Sequence, residues 1–452
     1  MTRMKDFVQQ SPKLTHLIIV AGGPGMRLAT VAGNLPKALV TVGGKPVLQH
    51  QLELAARTGI KEVTIFAGHL AEQIDAFVGD GSRFGLRVCI FTEKQPLGNA
   101  GATLQNLDRL PQHFFVVYGD LMLAVDLQRI ANCHIEREAD FTLMVHPNDH
   151  PQDSDLVEAD TNDWVTAVHT CPHPADRFFS NLVNAAVYVV RREALRPWAG
   201  LAGKWDFAKD IIPRLVADGC HMLAYRSDEY LKDIGTPARL QSAEADWKAG
   251  RISFDRSNRS RPAIFLDRDG TLNVEKGHLR AAKDLELFPG VAPALRSLRQ
   301  SGFRLIVLTN QPVLARGETT EAELAAIHRR LEWELGKDGA YLDAIYVCPH
   351  HPDGGFPGER KELKVHCDCR KPGTGLLEQA CQDLRIDVSN SWMVGDQTRD
   401  IEMARRAGLR SVLVQTGSAG SDGQFPAVPN HIAGDLAAAA NVILQHKGFA
   451  PG

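Results

Sequence analysis

Leu17-Ile18-Ile19-Val20-Ala21-Gly22-Gly23-Pro24-Gly25-Met26-Arg27 runs an apolar strand straight into a glycine turn. Ala263-Ile264-Phe265-Leu266-Asp267-Arg268-Asp269-Gly270-Thr271 does the same with two carboxylates, well over two hundred residues later. Ligands of open α/β sheets bind beyond the carboxyl ends of the strands, so each stretch reads as the opening of an α/β unit with a site at its edge. Two openings predict two Rossmann-like domains.

Outward from the first stretch, apolar runs at 17–20, 63–67, 86–91 and 114–118 alternate with helical patterns at 47–58, 70–78 and 100–107. That alternation predicts a largely parallel sheet with helices on both faces. Residues 141–190 are richer in strand and read as an insertion over the ligand edge; helices at 207–217 and 237–247 close this half. The domain is placed at 14–248 and a polar, basic linker at 249–262, most of it RISFDRSNRSRP. A second domain, 263–447, restarts the pattern. Its strands fall at 263–266, 304–308, 344–347, 391–394 and 411–414, its helices at 291–300, 321–335, 375–384 and 398–407.

The chain has 452 residues, 44% hydrophobic and 23% charged, with net charge −3. These values suit a globular protein of two or three domains and give no hint of a nucleic-acid or membrane surface. Residues 1–13 lack the apolar core of a signal peptide, and no apolar run approaches the ~20 residues of a membrane span. Of eight cysteines, Cys348, Cys367 and Cys369 cluster with histidines and the others are scattered. A reducing, cytoplasmic setting with one metal site fits this better than a disulfide framework.

At the first site, Gly22, Gly23 and Gly25 can form an anion-binding nest, although a tight βα turn uses the same glycines. Arg27 follows, then Pro36-Lys37; Gly119-Asp120 ends one strand and Asp233-Ile234-Gly235-Thr236-Pro237 another. A nest, two cations and two carboxylates are what a metal-assisted attack on a nucleotide α-phosphate needs. Together these motifs resemble the sugar-phosphate nucleotidylyltransferase family over about residues 14–247. The resemblance implies that Arg27 and Lys37 contact the triphosphate and that Asp120 and Asp233 carry Mg²⁺. It also implies that Glu93 and Pro96-Leu97-Gly98-Asn99-Ala100-Gly101 receive nucleobase and sugar, and that Asn184 lines the sugar pocket. Two departures stand out: Met26 occupies a position usually held by Thr or Ser, and the family's E-K-P appears at best as Pro172-His173-Pro174. His173 is either a pH-dependent cation or a loop histidine.

At the second site, Asp267 and Asp269 can converge on one phosphate, one as nucleophile and one as proton carrier. Thr309-Asn310 ends the next strand, Lys371 lies in Cys369-Arg370-Lys371-Pro372, and Gly395-Asp396 ends a third strand. Asp400 follows, as a site carboxylate or a solvated helix residue. This set resembles haloacid dehalogenase-type phosphohydrolases across 263–417. The resemblance makes Asp267 nucleophile, Asp269 general acid/base, Thr309 and Lys371 phosphate ligands, and Asp267, Asp269 and Asp396 the Mg²⁺ site. Cys348-Pro349-His350 and Cys367-Asp368-Cys369 give C-x-H and C-x-C, a closed tetrahedral set for structural Zn²⁺, with His351 and His366 as competing ligands.

That loop, running into Arg370-Lys371-Pro372, resembles the histidinol-phosphate and heptose-1,7-bisphosphate phosphatase branch. Arg370 is then expected to read a second phosphate, and Asn310, Gln311 and Arg316 match the branch's T-N-Q…A-R-G loop, with Pro312-Val313 replacing Ser-Gly. A heptose bisphosphate phosphatase yields heptose 1-phosphate, which a nucleotidylyltransferase can activate. The chain therefore resembles a fusion with a heptose 1-phosphate guanylyltransferase, making GDP-heptose for surface polysaccharide. Its expected partners are a nucleoside triphosphate and phosphorylated heptose, without nucleic acid or membrane, with a second copy of itself as a further candidate. Two alternatives remain open: another phosphosugar used with UTP or CTP, or a non-catalytic nucleotide- or sugar-sensing first domain.

Overall fold

The computed structural model of the protein describes residues 13–23, 26–28, 31, 33–174, 177–254 and 259–447. It divides into two compact units, one drawn from residues 1–146, 157–170 and 184–258, the other from 147–156, 171–183 and 259–452. No helix among the described residues is long and apolar enough to cross a membrane.

In the first unit, His16–Ala21 lies parallel between Glu62–Ala67 and His113–Tyr118, and Arg87–Thr92 follows beyond Glu62–Ala67. Ala21 stands opposite Ala67, Ala67 opposite Thr92, and Val20 opposite Tyr118, so four strands end along one edge. The central strands are apolar on both faces because both are covered: Ile18, Ile19, Ile65 and Val116 are fully buried. Helix Val47–Arg57 sets Leu48, Leu52 and Ala55 into this core at helical spacing.

Residues 141–190 are built partly into the sheet itself, and Val183, paired with Leu156, runs past the edge where His113–Tyr118 ends. Val183–Arg191 pairs antiparallel with His113–Tyr118, and Phe141–His146 joins the same sheet with Met222–Arg226 parallel to it. The run Val187-Tyr188-Val189-Val190 is buried throughout, which requires a place inside the sheet. The nine-stranded sheet is therefore mixed: His16–Ala21, Glu62–Ala67, Arg87–Thr92 and His113–Tyr118 are parallel as expected, and Val183–Arg191 adds antiparallel pairing. A separate ribbon pairs Leu121–Ala124 with Tyr230–Asp233, Asp233 facing Leu121.

The second unit's sheet has six strands, all parallel. Its spatial order is Ala344–Cys348, Arg304–Asn310, Ala263–Leu266, Trp392–Gly395, Arg410–Val414, His431–Ala433. Counted along the chain, that is 3-2-1-4-5-6, which reverses direction between the first and fourth strands. Asp267 and Asp396 each follow one of those two strands, and the Asp267 N–H donates to the Val394 carbonyl at 2.9 Å. Helix Glu321–Lys337 starts in a capping box between Thr320 and Glu323. The sixth strand and the closing helix Leu436–Lys447 go beyond the sequence expectation. The strand has three residues, and the helix hides Leu436, Ala439, Ala440 and Ile443 within an alanine-rich run.

Two candidate active sites and a candidate metal centre

The first unit's site is assembled along the edge where its four parallel strands end. Lys37, in the short turn Lys37–Leu39, is anchored by buried Ala38 and Leu39 and places Nζ 3.1 Å from Asp120 Oδ2. The ribbon brings Asp233 beside Asp120: the Ile234 N–H donates to the Asp120 carbonyl at 3.0 Å. Burial, and then the Asp233 charge, raise the Asp120 carboxyl above the usual range despite Lys37. Two carboxylates crowded in this way fit a divalent cation.

Asp233 is itself held by Arg239 Nη1 at 2.7 Å and by the Gly235 N–H. Arg239 lies six residues past Asp233 on helix Pro237–Lys248, and no motif marks it. Glu93 packs against Gly22, where a Cβ would stand 3.0 Å from its Oε1. Its Oε2 accepts from the Leu97 N–H at 3.1 Å, and burial raises its carboxyl.

Gly98 opens helix Gly98–Gln105 at φ +77, and a side chain there would strike the Trp205 carbonyl. Asn99 locks that contact, donating to Asp206 Oδ2 at 2.7 Å and accepting from the Phe207 N–H at 2.6 Å. Asn184 donates to the Tyr188 hydroxyl at 3.1 Å, on a strand kinked by Ala186 at φ +53. Gly23 and Arg27 are exposed, and Gly25 lies outside the described residues.

In the second unit, buried Lys371 lies 2.8 Å from Asp267 Oδ1 and 2.7 Å from Asp400 Oδ1. Asn310 fixes the lysine's backbone, accepting its N–H at 3.0 Å and donating to its carbonyl at 3.1 Å. Burial, offset in part by Lys371 and reinforced by Asp400, pushes Asp267 up to about 6. Burial together with Asp267 and Asp400 pushes Asp396 up to about 8. Asp396 Oδ2 accepts from the Ser418 N–H at 2.7 Å, while its buried Oδ1 has no hydrogen-bond partner among the described residues.

Ligand atoms of Asp267, Asp396 and Asp400 lie within 4.8 Å of one another. An orphaned oxygen amid three buried carboxylates fits a bound cation. Gly270, at φ +80, leaves room for it, because a Cβ there would strike Asp396 Oδ2.

Asp269 stands apart from this cluster. Fully buried Arg268 grips it at 3.1 and 2.7 Å, Asn273 donates at 2.9 Å and Gln311 at 2.8 Å. Burial opposes its charge, but Arg268 and these amides outweigh it and hold the carboxyl below the usual range. Arg268 reads in the sequence as the spacer between two aspartates, so this role is not visible there. Thr309 is buried and accepts from Gln311 Nε2 at 2.9 Å.

The three cysteines and His350 converge. Cys369 Sγ is 3.2 Å from Cys348 Sγ, 3.2 Å from Cys367 Sγ and 3.2 Å from His350 Nδ1. Cys348 lies 3.7 Å from Cys367 and 3.9 Å from His350. A tetrahedron with metal–sulfur bonds of about 2.3 Å has edges of about 3.8 Å, whereas a disulfide needs about 2.05 Å. Four soft donors at this spacing fit a metal with no open position. His351 turns to Phe356 and the Asp353 N–H, and His366 is exposed. His173, the remnant of the E-K-P position, bonds the Ser154 carbonyl at 2.7 Å and packs on Phe179 and Trp333 within the second unit.

The family profile described as nucleotidyl transferase matches residues 16–249, just over half of the chain. The chain belongs to the nucleotidyl transferase family. A HAD-hydrolase-like profile matches residues 368–439 beyond that domain. The chain is 43% identical over 159 residues to the D-glycero-β-D-manno-heptose-1,7-bisphosphate 7-phosphatase of Haemophilus ducreyi, covering 35% of this chain and 85% of the relative. It is 44% identical over 160 residues to the Escherichia coli K12 enzyme of that name, covering 35% and 82%. The carboxyl-terminal part of this nucleotidyl transferase family member thus belongs with those phosphatases, and the chain is a bifunctional enzyme. HddC of Yersinia pseudotuberculosis aligns with 52% of this chain and all of its own, at 21% identity and TM-score 0.46.

Proposed function

We propose that the second unit removes the 7-phosphate of D-glycero-D-manno-heptose 1,7-bisphosphate. The first unit then joins a nucleotidyl group, with GTP favoured, to heptose 1-phosphate and releases pyrophosphate. The observation that carries the reading is the buried Asp267–Lys371–Asp400 chain at the sheet's switch point. An Asp267 oxygen attacks phosphorus while the bond to the sugar oxygen breaks, and that oxygen takes a proton from Asp269. Asp269 then removes a proton from water, which attacks the aspartyl-phosphate, frees inorganic phosphate and restores Asp267. Because Asp269 favours its ionised form in the free protein, its proton arrives with the bound phosphate ester. Lys371 and Thr309 hold the phosphoryl oxygens, and Arg370, Asn310 and Arg316 hold the rest of the substrate. Asp267 and Asp396 would hold Mg²⁺, with Asp269 on the wall of the same small cavity as Asp267, and the ion would supply charge neutralisation to the phosphate.

In the first unit, Arg27, Lys37, Gly22, Gly23 and Gly25 are assigned to the triphosphate. Asp120 and Asp233 would hold its Mg²⁺, and Glu93, Gly98 and Asn184 border base and sugar. The functional limits are 14–248, a linker at 249–262, and 263–447, in a cytoplasmic enzyme. The phosphatase relatives and the need to consume heptose 1-phosphate support this order of steps. One experiment tests it: the bisphosphate is incubated with one nucleoside triphosphate at a time. One phosphate and one pyrophosphate per sugar are expected, fastest with GTP; faster turnover with UTP or CTP overturns the base assignment.

Cys348, His350, Cys367 and Cys369 are assigned to structural Zn²⁺. Zinc binding of ~10–16 kcal/mol orders loops with little core of their own. Cys367→Ser or chelator dialysis should remove one zinc per chain, lower Tm, and depress phosphate release, because Arg370-Lys371 follows the last ligand. Unchanged metal content and Tm in the variant would contradict the assignment.

A further inference from the structure

Two cavities adjoin at the carboxyl edge of the six-stranded sheet. The smaller, about 60 Å³, is walled in part by Asp267, Asp269, Glu275, Thr309 and Gln311. The larger, about 430 Å³, is walled in part by Arg316 and Arg370. His278, Pro312 and Arg399 line both, and of these three only Arg399 carries a fixed charge.

Arg399 stands in the first turn of helix Thr398–Ala407, next to buried Asp400. Its Nε is buried and has no hydrogen-bond partner among the described residues. The other two arginines have neutral partners: Arg316 has His278, and Arg370 has the His350 carbonyl at 3.2 Å. Elsewhere in the second unit, fully buried Arg268 finds Asp269 at 2.7 Å and half-buried Arg299 finds Asp343 at 2.7 Å. The large cavity's one carboxylate, Asp353, is 76% exposed and lies 3.8 Å from His351. Arg399 faces Asp267 and Glu275 across the small cavity, whereas on the large cavity's side Arg316, Arg370 and Arg399 meet one solvated carboxylate. Like charges gathered on that side are costly, and a phosphate monoester brings a charge of about −1.5 to −2 with three strong acceptor oxygens.

We propose that Arg399 is a phosphate-reading residue that, with Arg316 and Arg370, completes a subsite for the substrate's second, non-reacting phosphate. The small cavity takes the phosphoryl group that is cleaved. Arg399, on the shared wall, measures the separation between the two phosphates, and this makes the site selective for a bisphosphate. Planar guanidinium forks suit the bidentate capture of a phosphate. The inference rests on the phosphatase reading above and adds to it the residue that sets substrate choice.

The test compares kcat/KM for heptose 1,7-bisphosphate and heptose 7-phosphate in the full chain, in Arg399→Gln and in Arg399→Lys. The wild type should prefer the bisphosphate. R399Q should reduce that preference at least ten-fold, mainly through KM, and R399K should restore part of it through its remaining point charge. Equal losses on both substrates would make Arg399 a packing residue and overturn the proposal. A wild type that cleaves both esters equally well removes the subsite alone. A wild type that cleaves neither removes the phosphatase reading and the subsite with it.

Discussion

Asp267→Asn is expected to lower phosphate release from the bisphosphate by about 10⁴-fold or more, and to leave pyrophosphate release from heptose 1-phosphate and GTP intact. The amide keeps the shape of the carboxylate but cannot attack phosphorus. The fold tolerates the change because Lys371 keeps Asp400 at 2.7 Å when it loses the charge at Asp267. Burial had already pushed the Asp267 carboxyl up to about 6, so replacing it with a neutral group removes a desolvation cost as well as a partner. An unchanged Tm therefore accompanies the loss of activity. If both activities fell together at unchanged Tm, the two-site account would fail.

Asp120→Ala is expected to do the reverse. It removes one of the two crowded carboxylates and leaves Lys37 without its partner at 3.1 Å. Pyrophosphate release should drop by about 10³-fold, equivalent to about 4 kcal/mol of transition-state stabilisation. Asp233 stays in place through Arg239 and the Gly235 N–H, so the edge of the sheet is not expected to collapse. Phosphate release from the bisphosphate should match wild type. A chain that retained full nucleotidyl transfer without Asp120 would remove the metal-carboxylate role assigned to it.

Part of this architecture is legible in the sequence for a physical reason. Asp267 and Asp396 each follow a short apolar run, and a strand that ends in a carboxylate points to the site edge of an α/β sheet. Cys-x-His and Cys-x-Cys are equally legible, because alternate residues on one turn can meet one metal. What the sequence hides depends on distant packing. Asp400 reads in the sequence either as a site carboxylate or as a solvated helix residue, and only the placement of its helix beside Lys371 decides between them. Arg268 looks like a spacer, yet it is fully buried, grips Asp269 and bonds His328 at 3.0 Å. Asn310 was expected to contact substrate, and the structure also gives it the backbone of a lysine sixty-one residues away. Residues 141–190 carry strand character, but composition does not say that Val183–Arg191 inserts beside His113–Tyr118.

The central claim is that one chain performs two consecutive steps at two separate sites, phosphate removal first. Phosphorus NMR of the full chain with heptose 1,7-bisphosphate, GTP and Mg²⁺ tests it most directly. The account predicts that the 7-phosphate resonance decays into inorganic phosphate before pyrophosphate appears, with one of each formed per sugar. Pyrophosphate formed while the 7-phosphate stays on the sugar would contradict it.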